Sequence, residues 1–237
     1  MLTDQLVAYY KLDEASGNAA DSVGSVTLTN TGTATYGAGK INNGVNLARA
    51  SSQRLNAADP SAFHLSSITL AGWFKLASNP SGSYYTLICK VYGGSWASPY
   101  ASFYIRLPSL TDIEIGNTFN GSSLDAVGIT VSALSTGVWY HVALTYDAGT
   151  GSRRLYLNGS DVGGDTKSGN IQYSTGEFNL GRTGDSGEGL DGSLDEWGIW
   201  SRALSSAEIT SLYNGGTGVQ YPFTTPYNTK PSMLGVF

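Results

Sequence analysis

The feature that most constrains this chain is a rhythm. Short runs of alternating, β-branched or aromatic residues recur from end to end, and each is closed by a cluster of Gly, Asn, Ser or Asp. The runs are Leu6–Leu12, Val26–Thr29, Val45–Leu47, Ile68–Leu76, Tyr84–Val91, Ala101–Leu107, Asp112–Asn117, Val127–Val131, Trp139–Tyr146, Arg153–Asn158, Glu177–Gly181 and Gly192–Trp200. Between them stand Asn42-Asn43-Gly44, Asn79-Pro80-Ser81-Gly82, Asn120-Gly121-Ser122, Asp147-Ala148-Gly149-Thr150-Gly151 and Asn158-Gly159-Ser160. These residues tolerate positive φ or bond their own turn. Many short strands at this spacing predict an all-β sandwich or barrel.

Composition narrows the function classes. Lys and Arg number 13 against 18 Asp and Glu, a net charge of −5. Nucleic-acid binding rests on clustered Lys and Arg, so a phosphate-backbone partner is not expected. The one cysteine, Cys89, excludes an internal disulfide and a thiolate zinc cage within one chain. No run reaches the roughly 18 apolar residues of a membrane span, so no membrane insertion is expected. The opening MLTDQLVAYYKLDE lacks the basic start and apolar core of a secretory signal. A cytoplasmic chain, an assembly component and an excised mature domain all fit that opening. Location is left open, with a virion or extracellular surface as the expected end point after assembly or release.

One segment reads as a helix, over Leu204–Tyr213. Ser205 is its N-cap, Glu208 completes a capping box, Leu204 staples onto Ile209, and Asn214-Gly215-Gly216 stop it. Residues 217–237 then change character, with three prolines and no strand or helix period. The expected organisation is one domain over 1–216 and an extended C-terminal arm over 217–237. The arm's Tyr221, Phe223, Tyr227, Met233, Leu234, Val236 and Phe237 are too apolar for a free linker. It is expected to dock, on its own sandwich or on other subunits of a larger assembly.

Trp139–Asp147, Leu155–Gly159 and Leu190–Ser205, with Ala8–Glu14, Asp21–Gly24 and Ile68–Lys75, resemble the laminin-G-like members of the concanavalin A-like lectin/glucanase superfamily. The resemblance covers roughly residues 5–214. It implies two curved antiparallel sheets of a jelly-roll sandwich with the first strand beside the last, so Leu6–Leu12 should pair with Leu194–Trp200. Such a fold hosts lectins, glycosidases, adhesion modules and structural parts alike.

Glycoside hydrolysis needs two carboxyl groups about 5–9 Å apart. Asp112 and Glu114 share a face but read as a solvated strand edge, and the adjacent Asp195 and Glu196 should point to opposite faces. His141 reads as a packing residue and Cys89 as a small buried hydrophobe. No enzyme is expected. Relatives of this fold hold calcium, so the resemblance implies a structural calcium ion with Asp21, Asp195 and Asp13 as candidate ligands. The alternative is that Asp21 caps a turn and Asp195 bonds backbone amides. Asp185 and Glu188 offer a second candidate pocket, with a polar turn as the alternative reading.

Sugars offer C–H faces to aromatic rings and hydroxyls to Asn, Asp and Arg. Trp96, flanked by Tyr92 and Tyr100 in a Gly/Ser loop, is the expected stacking platform, with Asn120 and Arg182 as hydrogen-bonding partners. Asn117, Tyr84 and Tyr85 are further candidates. Trp73, Trp139 and Trp200 read as packing residues. The leading expectation is a non-catalytic module binding carbohydrate on cell-surface or extracellular glycans. The alternative is a structural virion protein, a phage capsid decoration or tail component, that assembles through its arm.

Overall fold

The computed structural model describes residues 1–80, 82–91, 101–119, 123–173, 175–184 and 187–224. The strands are β1 (Leu6–Tyr10), β2 (Thr29–Thr31), β3 (Thr35–Ala38), β4 (Asn43–Leu47), β5 (Arg54–Ala57), β6 (Ile68–Leu76), β7 (Tyr85–Val91) and β8 (Ala101–Leu107). They continue as β9 (Asp112–Phe119), β10 (Ser123–Thr130), β11 (Trp139–Tyr146), β12 (Ser152–Leu157), β13 (Ser160–Thr166), β14 (Phe178–Leu180) and β15 (Gly192–Trp200). An eight-stranded sheet runs β13-β12-β11-β6-β15-β4-β3, with β1 also on β15, and a seven-stranded sheet runs β10-β9-β8-β7-β14-β5-β2. Every pairing between them is antiparallel, from β1 on β15 to β8 on β9. The expected two-sheet sandwich is the observed one.

The first and last strands do meet. Leu6 faces Trp200, Ala8 faces Ile199, Tyr9 faces Gly198 and Tyr10 faces Trp197. Trp139–Tyr146 and Leu155–Leu157 pair as a hairpin across the 147–151 turn, with Val142 opposite Leu157 and Leu144 opposite Leu155. Asn158 and Gly159 turn it onward at φ 50° and 77°, the paired positive φ of a tight hairpin turn. The strand that follows, β13, was not legible, and neither were β3 and β5. Residues 29–31 form β2, where Val26–Thr29 was expected.

Alternation sorts the side chains into layers. Val142, Leu144 and Tyr146 join Phe103, Ile105, Ile113 and Ile115 in the central core between the sheets. Ala143, Ala71, Tyr9, Tyr156 and Trp200 face the other way. That outer face is covered by Leu204, Ile209, Leu212 and Phe223. The covering helix, α1 (Ser206–Tyr213), carries the expected capping box and ends at Asn214 with φ 48°. On the far side, the seven-stranded sheet turns Cys89, Ala101 and Tyr104 outward.

One correction concerns β15. Pairing with β6 shifts between Asp195 and Gly198, and Glu196 sits at φ 52°. This bulge breaks the alternation. Asp195 then bonds Lys40 and Ile41 amides while Glu196 meets the Tyr9 hydroxyl. Both acids therefore lie on the helix-covered side, where simple alternation would put them on opposite faces. The arm also begins by packing on its own domain: Val219, Tyr221 and Phe223 join the helix-side cluster. Residues 225–237, with the rest of the arm's apolar side chains, lie outside the described residues.

Candidate binding cleft

A cleft of about 490 Å³ opens where the β4–β5, β6–β7 and β14–β15 connections converge, lined by Arg49, Ala50, Ser52, Tyr85, Arg182, Gly187 and Asp191. Arg49 opens a 3-10 turn, Arg49–Ser51, between β4 and β5. The turn is tied down by Gln53, whose Oε1 accepts the Ala48 N–H at 2.7 Å. Tyr85 begins β7, Arg182 lies just past β14, and Asp191 just precedes β15. Thr183, just past β14, is pinned to the sheet by Thr86, the two hydroxyls meeting at 2.6 Å. The Cys89 thiol donates to the Arg182 carbonyl at 3.3 Å.

Inside the cleft, Arg49 Nε donates to Gly187 O at 2.9 Å, and its guanidinium lies 5.9 Å from the Tyr85 ring centre. Arg182 is 6% exposed. Its Nε donates to Gly184 O at 3.1 Å and its Nη1 to Arg49 O at 3.4 Å. Asp191 Oδ2 accepts the Ser78 hydroxyl at 2.7 Å, and Ser78 Oγ lies 2.6 Å from the Tyr85 hydroxyl.

Beside the cleft, on the outer face of the seven-stranded sheet, Arg106 lies between two rings. Its guanidinium carbon is 3.7 Å from the Tyr84 ring centre and 4.6 Å from that of Tyr104. Glu114 accepts from Arg106 Nε at 2.8 Å and from the Tyr104 hydroxyl at 2.6 Å, and Glu188 pairs with Arg106 at 3.3 Å. Glu114 is thus committed to the sheet face. Asp112 accepts from Ser109, Thr111 and Thr130, which hold its carboxyl below the ordinary range. It is not the raised acid that glycoside hydrolysis requires.

The carboxyls that are raised lie elsewhere. Burial lifts Asp195 and Glu196 each to about 8. Glu196 accepts from Tyr9 at 2.5 Å and from Gln220 Nε2 at 2.6 Å, and neither acid lines the cleft.

Of the expected sugar-binding residues, Arg182 lines the cleft. Trp96, Tyr92, Tyr100 and Asn120 lie outside the described residues, as does Asp185. Tyr85 is a cleft wall, while Asn117 is buried and spans Ser102 O and Arg153. Arg49, Ser52 and Asp191 were missed, because a lone Arg in an Ala/Ser run and an Asp in a Gly turn carry no local signal.

The three calcium candidates do not fit a cage. Asp21 Oδ1 accepts backbone N–H groups from Tyr9, Val23 and Gly24. Asp195 Oδ2 accepts those of Lys40 and Ile41 at 2.7 and 2.9 Å. Asp13 accepts the Asn43 N–H and the Gln220 amide. Among the described residues no three His, Cys, Asp or Glu gather to hold a metal ion. Trp73 and Trp200 are buried as expected, whereas Trp139 is half-exposed with Lys75 Nζ 4.9 Å from its ring centre.

A closed pair of antiparallel sheets with loops gathered around an end cleft defines a lectin-type sandwich. Residues 49–210 match a laminin-G family model described as the concanavalin A-like lectin/glucanases superfamily, and the chain belongs to that family. No curated protein matches it.

Among solved structures, it is similar to the binding domain of Paraclostridial Mosquitocidal Protein 1, with TM-score 0.73 and 16% identity over 91% of this chain and 53% of that one. It is similar to the binding domain of botulinum neurotoxin DC in complex with rat synaptotagmin II, at TM-score 0.70 and 13% identity over 90% and 52% of the two chains. The chain thus spans about half the length of these toxin domains. It is also similar to domain 4 of AbnA, a GH43 extracellular arabinanase from Geobacillus stearothermophilus, in complex with arabinotriose. That match has TM-score 0.61 and 20% identity over 87% of this chain and 97% of that one. These likenesses are of fold.

Proposed function

We propose that this chain is a non-catalytic carbohydrate-binding module whose site is the Arg49–Tyr85–Arg182–Asp191 cleft. The cleft itself carries the reading. It sets guanidinium donors, the Ser52 hydroxyl and the Asp191 carboxylate around one concavity of about 490 Å³. Convergent polar groups in a cleft of this size are what a small oligosaccharide needs. The near whole-length likeness to an arabinanase domain seen with arabinotriose supports the same reading. Non-catalysis is supported by the carboxyls: Asp112 is held low, and the raised acids Asp195 and Glu196 are buried away from the cleft.

Calorimetric titration with arabinotriose and a panel of plant and bacterial oligosaccharides tests it. We expect dissociation constants between roughly 10 μM and 1 mM, weakened about tenfold by Arg49→Ala. A flat titration with every sugar at millimolar concentration would remove the reading.

A further inference from the structure

We infer that the cleft selects sugars carrying a negative charge, a uronic acid or a sulfate ester, and that Arg49 is the residue that recognises the charge. The inference rests on the glycan-binding reading and adds a ligand class to it. Arg49 uses Nε on Gly187 O. Among the described residues, neither of its Nη groups has a hydrogen-bond acceptor and no carboxylate pairs with it. A guanidinium presents a planar fork that matches an oxyanion in two parallel hydrogen bonds. Here the fork is half-exposed in an open cleft.

The fork is also held in place before any ligand arrives. Its Nε is bonded to Gly187, the Tyr85 ring lies 5.9 Å away, and the turn beneath is tied by Gln53. Binding therefore freezes little new side-chain freedom.

Charge around the cleft points the same way. Arg49 and Arg182 line it against one described carboxylate, Asp191, so the formal balance is 2 − 1 = +1. The whole chain carries 13 − 18 = −5. Asp191 is occupied by Ser78, and the nearby Glu188 by Arg106. A role limited to tying Gly187 would need only one donor; among the described residues it leaves the two Nη groups of Arg49 unused.

Short oligogalacturonides, their methyl esters, arabinotriose and a sulfated galactan oligomer are the probes, titrated by calorimetry into the full chain. The acid form should bind at least tenfold tighter than its methyl ester, which differs only in charge. Raising salt should weaken the acid form and leave the ester unchanged. Arg49→Ala should erase the acid preference, and Arg49→Lys should keep part of it, since a point charge lacks the fork. Unchanged circular dichroism and melting temperature would show that both variants are folded.

Tight sulfate binding with weak uronate binding would assign the charge to sulfate esters and still support the inference. Equal affinity for acid and ester overturns it while leaving the glycan reading intact. So does an acid preference that survives Arg49→Ala. Silence from every probe would remove both.

Discussion

At the scale of single residues, Asp195 shows how burial turns into pH dependence. One oxygen accepts two backbone N–H groups, and the other, Oδ1, is buried without a partner. Desolvation outweighs those two bonds, and Glu196 next door adds repulsion, so the carboxyl rises from 3.8 to about 8. Glu196 rises from 4.5 to about 8, mainly through burial. Between these limits the folded chain holds protons that the unfolded chain has lost. The stability tied to this pair is therefore complete below about pH 4 and drains as pH climbs to about 8. His141 acts in the opposite sense. Burial lowers it from 6.5 to about 3, so its contribution is complete above 6.5 and fades as pH falls through 3. Asp195→Asn should shrink the drop in melting temperature between pH 5 and pH 8 by about 3–6 °C, equivalent to about 1–2 kcal/mol. A variant whose pH profile overlays the parent would show that Asp195 is ionised in the fold. Gly72 gives a steric test. A Cβ there would enter the Trp197 indole, which is fully buried and fixed by its N–H on Trp73 O. Gly72→Ala should cost about 1–3 kcal/mol in a urea melt.

Elements differ in how much of them a sequence can show. The helix was legible because its signals are local. Ser205 accepts the Glu208 N–H at 3.3 Å, and Glu208 Oε2 accepts the Ser205 N–H at 3.0 Å. Glu208 also pairs with Arg202 at 2.6 Å, which holds it down to about 2. That share of stability is complete above 4.5 and is lost as pH falls through 2. Ser205→Ala should cost about 1 kcal/mol and lower the melting temperature by about 2–4 °C, measured at neutral pH. The β11–β12 pair was legible too, through its alternation and the 147–151 turn, and Asn158-Gly159 was legible as a turn. Strands β5 and β13 were not, because Arg54–Ala57 offers one apolar residue that is fully buried, Leu55, and Ser160–Thr166 offers none. Their strand state comes from neighbours across the sheet, which no local pattern encodes. The Asp195–Gly198 bulge escaped for the same reason. In the cleft, Arg182 could be suspected from its place in a polar loop. Tyr85 could be suspected as an aromatic after a Ser/Gly turn, but Arg49 and Asp191 join it only when the end of β4 and the starts of β7 and β15 meet at one place.

At the scale of the whole molecule, the first and last strands close the sandwich, and the segment after α1 packs over their seam. Leu2 O accepts the Trp200 indole N–H at 2.6 Å, and β1 zips onto β15. Over that seam lies the segment after α1. Gln220 donates to both Asp13 and Glu196, at 2.8 and 2.6 Å. Tyr221 and Phe223 set their rings 5.9 and 5.4 Å from that of Tyr9. Phe223 is 2% exposed, so residues up to 223 belong energetically to the sandwich. Two truncations separate this from an arm that begins at 217. A chain ending at Thr224 keeps the ring cluster and the Gln220 bonds, and serves as the reference. A chain ending at Thr217 uncovers Tyr9 and leaves Glu196 without its amide donor. Losing a buried Phe alone costs about 3–5 kcal/mol, which for a chain of this size is roughly 10 °C. The shorter chain should also bind a dye such as ANS through the uncovered aromatic face. Equal melting temperatures for the two truncations would mean that the segment merely rests on the seam and that the β1–β15 pairing holds the shell shut without it.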